Sequence, residues 1–220
     1  MPYEAVHIPV SGVTIEGDLI VPANAIGLVI FAHGSGSSRF SRRNRAVAEV
    51  LSGAGFATLL LDLLTREEES ADERTGQFRF DIDRLAVRVI AAIDWSGTQR
   101  ALAPLPIGCF GASTGAAAAL MAAAARPARV RAVISRGGRP DLADDVLPRV
   151  EAPTLLIVGG HDEPVIELNE AARRRMRAPA QTVIVPGATH LFEEPGALEQ
   201  VAGLALEWCR IYLKTGPSGA

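Results

Sequence analysis

The sequence predicts an α/β protein, a mostly parallel, doubly wound sheet preceded by an antiparallel N-terminal edge. Two patterns carry that expectation. Short apolar runs without polar alternation recur along the chain, as strands buried on both faces require, and segments with helical spacing separate them. Strand and helix in strict alternation give parallel neighbours joined by right-handed crossovers.

Residues 4–22 alternate apolar and polar around Gly12 and Gly17, which predicts a two-stranded antiparallel ribbon turning near Ser11 and Gly12. Buried strands follow at 26–31, 56–61, 105–110, 130–134, 154–158 and 182–185. Helices are expected over 41–54, 82–95, 114–125, 165–176 and 198–213. The second of these starts behind Asp81, whose carboxylate can cap the first N–H groups, and Leu85, Val89 and Ile93 recur along one face. No repeat, low-complexity linker or composition shift marks an internal boundary. At about 150 residues per domain, the expectation is one domain over 1–214 and a flexible tail over 215–220.

The 220 residues are 48% hydrophobic and 21% charged, inside the globular range. A formal charge of −3 supplies no basic field for nucleic acid. Cys109 and Cys209 are far apart and form no C-x-x-C, so neither a disulfide framework nor a zinc site is expected. Residues 1–10 lack the basic and apolar regions of a secretory signal, and no apolar run approaches the roughly 20 residues that span a bilayer. A cytoplasmic protein without a membrane partner is expected; oligomeric state stays open.

In open α/β sheets reactive groups gather at the carboxyl ends of the strands. Residues 107–115 read Ile-Gly-Cys-Phe-Gly-Ala-Ser-Thr-Gly, an apolar strand entering G-x-S-x-G and then an alanine-rich helix. In that context the serine occupies a strained turn, and Gly111 and Gly115 are needed because side chains there would strike the neighbouring elements. Ser113 is the candidate nucleophile and the Thr114 N–H a candidate oxyanion donor. The bland alternative makes Ser113 a helix N-cap.

A serine nucleophile needs a base, held in turn by an acid. Of the four histidines, His7 precedes the main sheet, His33 lies in a glycine-rich loop that it is expected to order, and His161 reads as a surface residue. His190, just after the last strand, is the candidate base. Asp162, after the strand at 154–158, is the candidate acid, with Asp141 and Glu163 as alternatives. The order Ser113, Asp162, His190 is that of α/β-hydrolases.

The loop Ala-His-Gly-Ser-Gly-Ser-Ser-Arg at 32–39 supplies the second oxyanion donor, the Ser35 N–H, with Gly36 as the fallback. Its spacing fits neither a dinucleotide nor a P-loop fingerprint. Arg39, Arg42, Arg43 and Arg45 follow, and Arg136 and Arg139 lie at the same sheet edge. The plain reading is solvated charge. The sharper one makes Arg39 and Arg136 donors to an anionic substrate group, with Glu67, Glu68 and Glu69 as competing partners.

The strings F-A-H-G-S-G-S-S-R at 31–39, G-A-S-T-G at 111–115, S-R-G-G-R-P-D-L at 135–142, L-L-I-V-G-G-H-D at 155–162 and G-A-T-H-L-F-E-E-P-G at 187–196 resemble the dienelactone hydrolase branch of the α/β-hydrolase superfamily. The resemblance spans nearly the whole chain. The strings are also similar to the hydrolase half of proteins that fuse such a domain to a phosphoribosyltransferase. The resemblance implies Ser113 as nucleophile, His190 as base, Asp162 as orienting acid and the Ser35 and Thr114 N–H groups as oxyanion hole. True dienelactone hydrolases carry cysteine at the nucleophile position, so Ser113 turns the expectation away from dienelactone itself. Cys109, earlier in the strand, is expected in the core. Many relatives insert a helical cap between the positions of Ile134 and Thr154; the short stretch here implies no large cap and an open site for short acyl chains. The expected activity is hydrolysis of a small carboxylic ester, lactone or thioester through an acyl-enzyme on Ser113, with no metal or organic cofactor. Acyl transfer to another acceptor and a non-catalytic binding domain are the alternatives.

Overall fold

In the computed structural model, which describes residues 3–213, the N-terminal alternation becomes a hairpin. Glu4–Val10 (β1) pairs antiparallel with Val13–Ile20 (β2). The reversal falls on Ser11 and Gly12, with φ of 48° and 82°, the positive values a two-residue hairpin turn demands. β2 then pairs antiparallel with Ala57–Leu61 (β4). All other pairs are parallel, joining β4 through Leu28–Ala32 (β3), Ile107–Ala112 (β5), Val130–Arg136 (β6) and Thr154–Gly159 (β7) to Ala180–Val185 (β8). The eight strands therefore run β1-β2-β4-β3-β5-β6-β7-β8, a mostly parallel sheet with an antiparallel edge, as expected of an α/β-hydrolase.

Alternate side chains of each central strand feed two cores, which is why the strand runs are apolar without a break. Leu28, Ile30 and Ala32 pack beneath Ile82–Ser96 (α3) and Thr114–Ala125 (α4), together with Ala172 of Glu163–Arg175 (α5). Val29 and Phe31 pack on the other face, beneath Arg42–Gly53 (α1) and Ala197–Tyr212 (α6). Ala116, Ala117, Ala118 and Ala119 are fully buried, small side chains that let α4 lie close on the sheet. Asp81 caps α3 as expected, accepting from the Arg84 N–H at 3.1 Å.

Two elements were not expected. Arg66–Thr75 (α2) is polar along its length and offers no apolar stripe to read. A capping box starts it instead: the Thr65 hydroxyl accepts from the Glu68 N–H, and the Glu68 carboxylate accepts from the Thr65 N–H. The second is a 3₁₀ run, Pro140–Arg149, kinked at Ala143 and interrupted by Pro148. It is all that lies between β6 and β7, and Val146 and Leu147 bury it in the core under α4, so no large cap covers the sheet's carboxyl edge. No described helix is long and apolar enough to cross a membrane. The expected tail at 215–220 falls outside the described residues.

Candidate active site

β5 ends at Ala112 and α4 begins at Thr114, so Ser113 makes the turn alone, with φ 50° and ψ −122°. That conformation is strained for a residue with a Cβ, and the surroundings hold it. The Ser113 N–H donates to the Arg136 carbonyl at 3.2 Å, and its own carbonyl accepts from the Arg139 N–H at 3.1 Å. A Cβ on Gly111 would fall 2.3 Å from Ala116 Cα, and one on Gly115 would fall 2.3 Å from the Ala32 carbonyl oxygen. Strand, turn and helix meet at a distance open to glycine alone. The Ser113 side chain makes no capping hydrogen bond, so an N-cap role does not account for it.

His190 and Asp162 are brought together from the loops after β8 and β7. The Gly160 N–H donates to the Val185 carbonyl and the His161 N–H to the Ala188 carbonyl, both at 2.9 Å, tying the two loops edge to edge. His190 Nδ1 then lies 2.7 Å from Asp162 Oδ2. An ionised carboxylate only accepts, so Nδ1 carries the proton and Nε2 is left with a lone pair. The alternative acids are engaged elsewhere: Asp141 pairs with Arg139 and Glu163 is exposed at the start of α5. His7 and His161 are exposed. Ser113 and His190 line one cavity of about 200 Å³; among the described residues no hydrogen bond yet joins their side chains.

The glycine-rich loop passes directly over the serine, since a Cβ on Gly34 would lie 3.0 Å from Ser113 Cβ. His33 fixes that loop. Its Nδ1–H donates to the Gly34 carbonyl at 2.8 Å and its Nε2 accepts from the Leu63 N–H at 3.1 Å; burial pushes its pKa below the ordinary value and keeps the ring neutral. The N–H groups of Ser35 and Thr114 have no hydrogen-bond partner among the described residues, the condition for donors awaiting an oxyanion. Ser35 lines the same cavity as Ser113 and His190.

The arginines divide. Arg39, expected as a donor to substrate, instead sits in a cage of carboxylates: its guanidinium bonds Asp62, Asp18 at 3.2 Å and Glu16 at 2.6 Å, and its N–H donates to Asp62 at 2.7 Å. With its donors so engaged it anchors the end of the glycine-rich loop to β2 and β4. Nor do the expected acidic competitors take it, since Glu68 pairs with Arg84 and Arg88. Arg136 is where the sequence placed it, at the cavity with Ser113. It is 8% exposed, and Nε and Nη1 are enclosed without a partner. Burial, reinforced by the charge of Arg43, pushes its pKa down to about 10. Arg43 also lines the cavity and was not singled out in the sequence, because nothing local distinguishes it from Arg42 and Arg45. Its Nη1 reaches Glu193 of the His190 loop at 2.9 Å. On the other side of the glycine-rich loop, a hollow of about 250 Å³ is lined by Asp62, Glu69, Asp72 and Glu73, and not by Ser113. Among the described residues no group of three metal-ligating side chains is gathered.

Known proteins share this sequence pattern and fold. The sequence model of the dienelactone hydrolase family matches residues 15–210. A crystal structure described as dienelactone hydrolase from Anabaena variabilis ATCC 29413 is 57% identical, covering 96% of this chain and 98% of that one, with a TM-score of 0.95. Two Mycobacterium tuberculosis proteins, from strains CDC 1551 and H37Rv and each named "Putative phosphoribosyl transferase", are 58% identical over 217 residues. The match covers 98% of this chain and 48% of theirs, so the chain spans about half the length of these relatives. Est1E from Butyrivibrio proteoclasticus, with ferulic acid bound, shares the fold at 19% identity and a TM-score of 0.81 over 94% of this chain and 99% of that one.

Proposed function

The chain belongs to the dienelactone hydrolase family and is a hydrolase, and from that premise we propose that it cleaves a small carboxylic ester, lactone or thioester through an acyl-enzyme on Ser113. The observation that carries this reading is the meeting of a strained Ser113 with the Asp162–His190 pair at one cavity. His190 Nε2 takes the hydroxyl proton as Ser113 Oγ attacks the carbonyl carbon, and Asp162 steadies the imidazolium that forms. The developing oxyanion is received by the Ser35 and Thr114 N–H groups. Collapse of the tetrahedral species returns the proton from Nε2 to the leaving group, and water repeats the sequence on the acyl-enzyme. The serine-to-histidine hydrogen bond closes as substrate binds, as catalytic contacts commonly tighten on forming the complex. Arg136 holds an anionic group on the substrate, and the open carboxyl edge of the sheet suits short acyl chains. Two buried free thiols, Cys109 and Cys209, support a cytoplasmic setting, and residues 1–214 act as one domain.

Intact-mass measurement after exposure to a fluorophosphonate tests the nucleophile. One adduct on the wild type and none on Ser113→Ala is expected, with turnover of 4-nitrophenyl acetate falling on the order of 10³-fold or more in the variant. A folded wild type that takes no adduct would remove the acyl-enzyme and leave a binding domain.

A further inference from the structure

We infer that the cavity beside Ser113 seats a phosphoryl group carried by the substrate, held between Arg136 and Arg43 at the N-terminus of α1. This deepens the proposed function and rests on its reading that the ester binds in this cavity.

The carrying observation is a buried cation without an anion. Arg136, 8% exposed, closes β6, and no guanidinium nitrogen makes a hydrogen bond among the described residues, Nε and Nη1 being fully enclosed. Buried charges are ordinarily paired, because desolvation is costly unless a counter-charge offsets it. Here the charged neighbour is a second cation, Arg43, and the two oppose each other. Arg43 meets one carboxylate, the exposed Glu193, through Nη1, while its Nε is enclosed and unpartnered.

The backbone adds to the same field. Ser41, the N-cap of α1, lines the cavity, and the first turn holds Arg42 and Arg43 with no acidic residue. Cations at a helix N-terminus oppose the macrodipole, so this turn concentrates positive potential where an anion would relieve it. The acids Asp62, Glu69 and Glu73 stand beyond the glycine-rich loop, in the other hollow. An anionic substrate group is therefore steered to the Arg136 side.

Charge and acceptor number select the class of anion. The guanidinium groups come from two elements, β6 and α1. A carboxylate brings one negative charge and two coplanar acceptor oxygens to two cations, whether it meets one guanidinium bidentately or bridges both. A phosphate monoester presents three terminal oxygens in a tetrahedron and close to two negative charges, enough for both arginines together with the hydroxyls of Ser37 and Ser41 that line the cavity.

Calorimetric titration of the full chain with inorganic phosphate, and separately with succinate at matched ionic strength, tests this without requiring turnover. Phosphate is expected to bind one to one, at least tenfold more tightly than succinate, and at least tenfold more weakly to Arg136→Met and to Arg43→Gln. Circular dichroism checks the fold of each variant, and Arg43→Gln alters a partly exposed residue should Arg136→Met fail to fold. Bound phosphate should also slow fluorophosphonate labelling of Ser113. Equal binding of succinate would make the seat one for carboxylates and overturn the phosphoryl assignment. Phosphate binding unaffected by either variant would overturn the location. Phosphate binding lost in the variants while Ser113 takes no adduct would uphold the seat and overturn the acyl-enzyme; an adduct without phosphate binding would do the reverse.

Discussion

Replacing Arg136 with methionine should stabilise the folded chain, although it removes a residue from the candidate site. Burial, with Arg43 second, lowers the guanidinium pKa from its ordinary value to about 10. At about 1.36 kcal/mol per pKa unit, keeping it charged in the folded state costs on the order of 3 kcal/mol. The affected group is a base with a depressed folded pKa, so the unfolded chain holds the proton more firmly. The cost is therefore present in full below about pH 10 and fades as pH rises from there toward the ordinary guanidinium value. Methionine is unbranched, adaptable and uncharged, and because Arg136 donates no side-chain hydrogen bond its removal orphans no acceptor. In a domain of this size each kcal/mol moves Tm by about 2–4 °C, so a rise of roughly 6–12 °C is the upper expectation at neutral pH. Thermal unfolding followed by circular dichroism in a sulfonate buffer measures it. Added phosphate should raise the wild-type Tm, by about 2.7 kcal/mol of stability at a hundredfold excess over Kd, and leave the variant unmoved. An unchanged or lower Tm for Arg136→Met would mean that the cation is already compensated in the free protein, and the reasoning from an unpaired charge would fail.

Other consequences are equally open to measurement. Gly115→Ala puts a methyl 2.3 Å and 2.4 Å from the carbonyl oxygens of Ala32 and His33; backbone cannot yield as a side chain can, so urea unfolding should record a loss of roughly 3 kcal/mol or more. A loss below about 1 kcal/mol would contradict the tight elbow. Asp162→Asn keeps the shape of the His190 contact but favours the wrong tautomer, so kcat for a short-chain ester should fall on the order of 10⁴-fold; a fall of less than about tenfold would assign the orienting role elsewhere. His33 has a folded pKa below the ordinary value of about 6.5. The unfolded chain therefore takes up a proton first as pH falls, and the contribution of His33 to stability is full above that value and declines below it. The urea midpoint should drop between pH 7.5 and 5.5 more steeply for the wild type than for His33→Asn, and parallel curves would show that the ring titrates freely.

The strand runs were legible because each central strand is buried on both faces, and the site was legible where one short segment carries its own geometry. G-A-S-T-G at 111–115 specifies a turn whose two glycines are needed by contacts a few residues away, Gly111 against Ala116 and Gly115 against the neighbouring β3. His190 and Asp162 were legible as a pair because each directly follows a parallel strand and the two strands are adjacent. What escaped depended on other signals. α2 has no apolar period, and its capping box at Thr65 and Glu68 was the one local clue. The 3₁₀ run is broken by its prolines and the Ala143 kink. Arg39 was misread because its partners Glu16 and Asp18 lie on β2, and no local pattern puts β2 beside the end of β4.

That strand order also sorts the charge around the serine. Gly17 of β2 pairs with Leu61 of β4, which draws Glu16 and Asp18 up to Asp62 and gives Arg39 three carboxylates. Arg136, at the end of β6, has Ala112 of β5 and Ile157 of β7 as its register partners, and neither can accept a proton or an ion pair. One arginine therefore becomes a rivet for the glycine-rich loop, and the other remains an uncompensated cation beside Ser113. The two fates follow from one topological fact, the antiparallel edge strand lodged on the β4 side. Three carboxylates gather about Arg39 on that side of the loop while Arg136 stands unpaired beside Arg43 on the other, so a substrate is favoured whose negative group points toward Arg136 and α1.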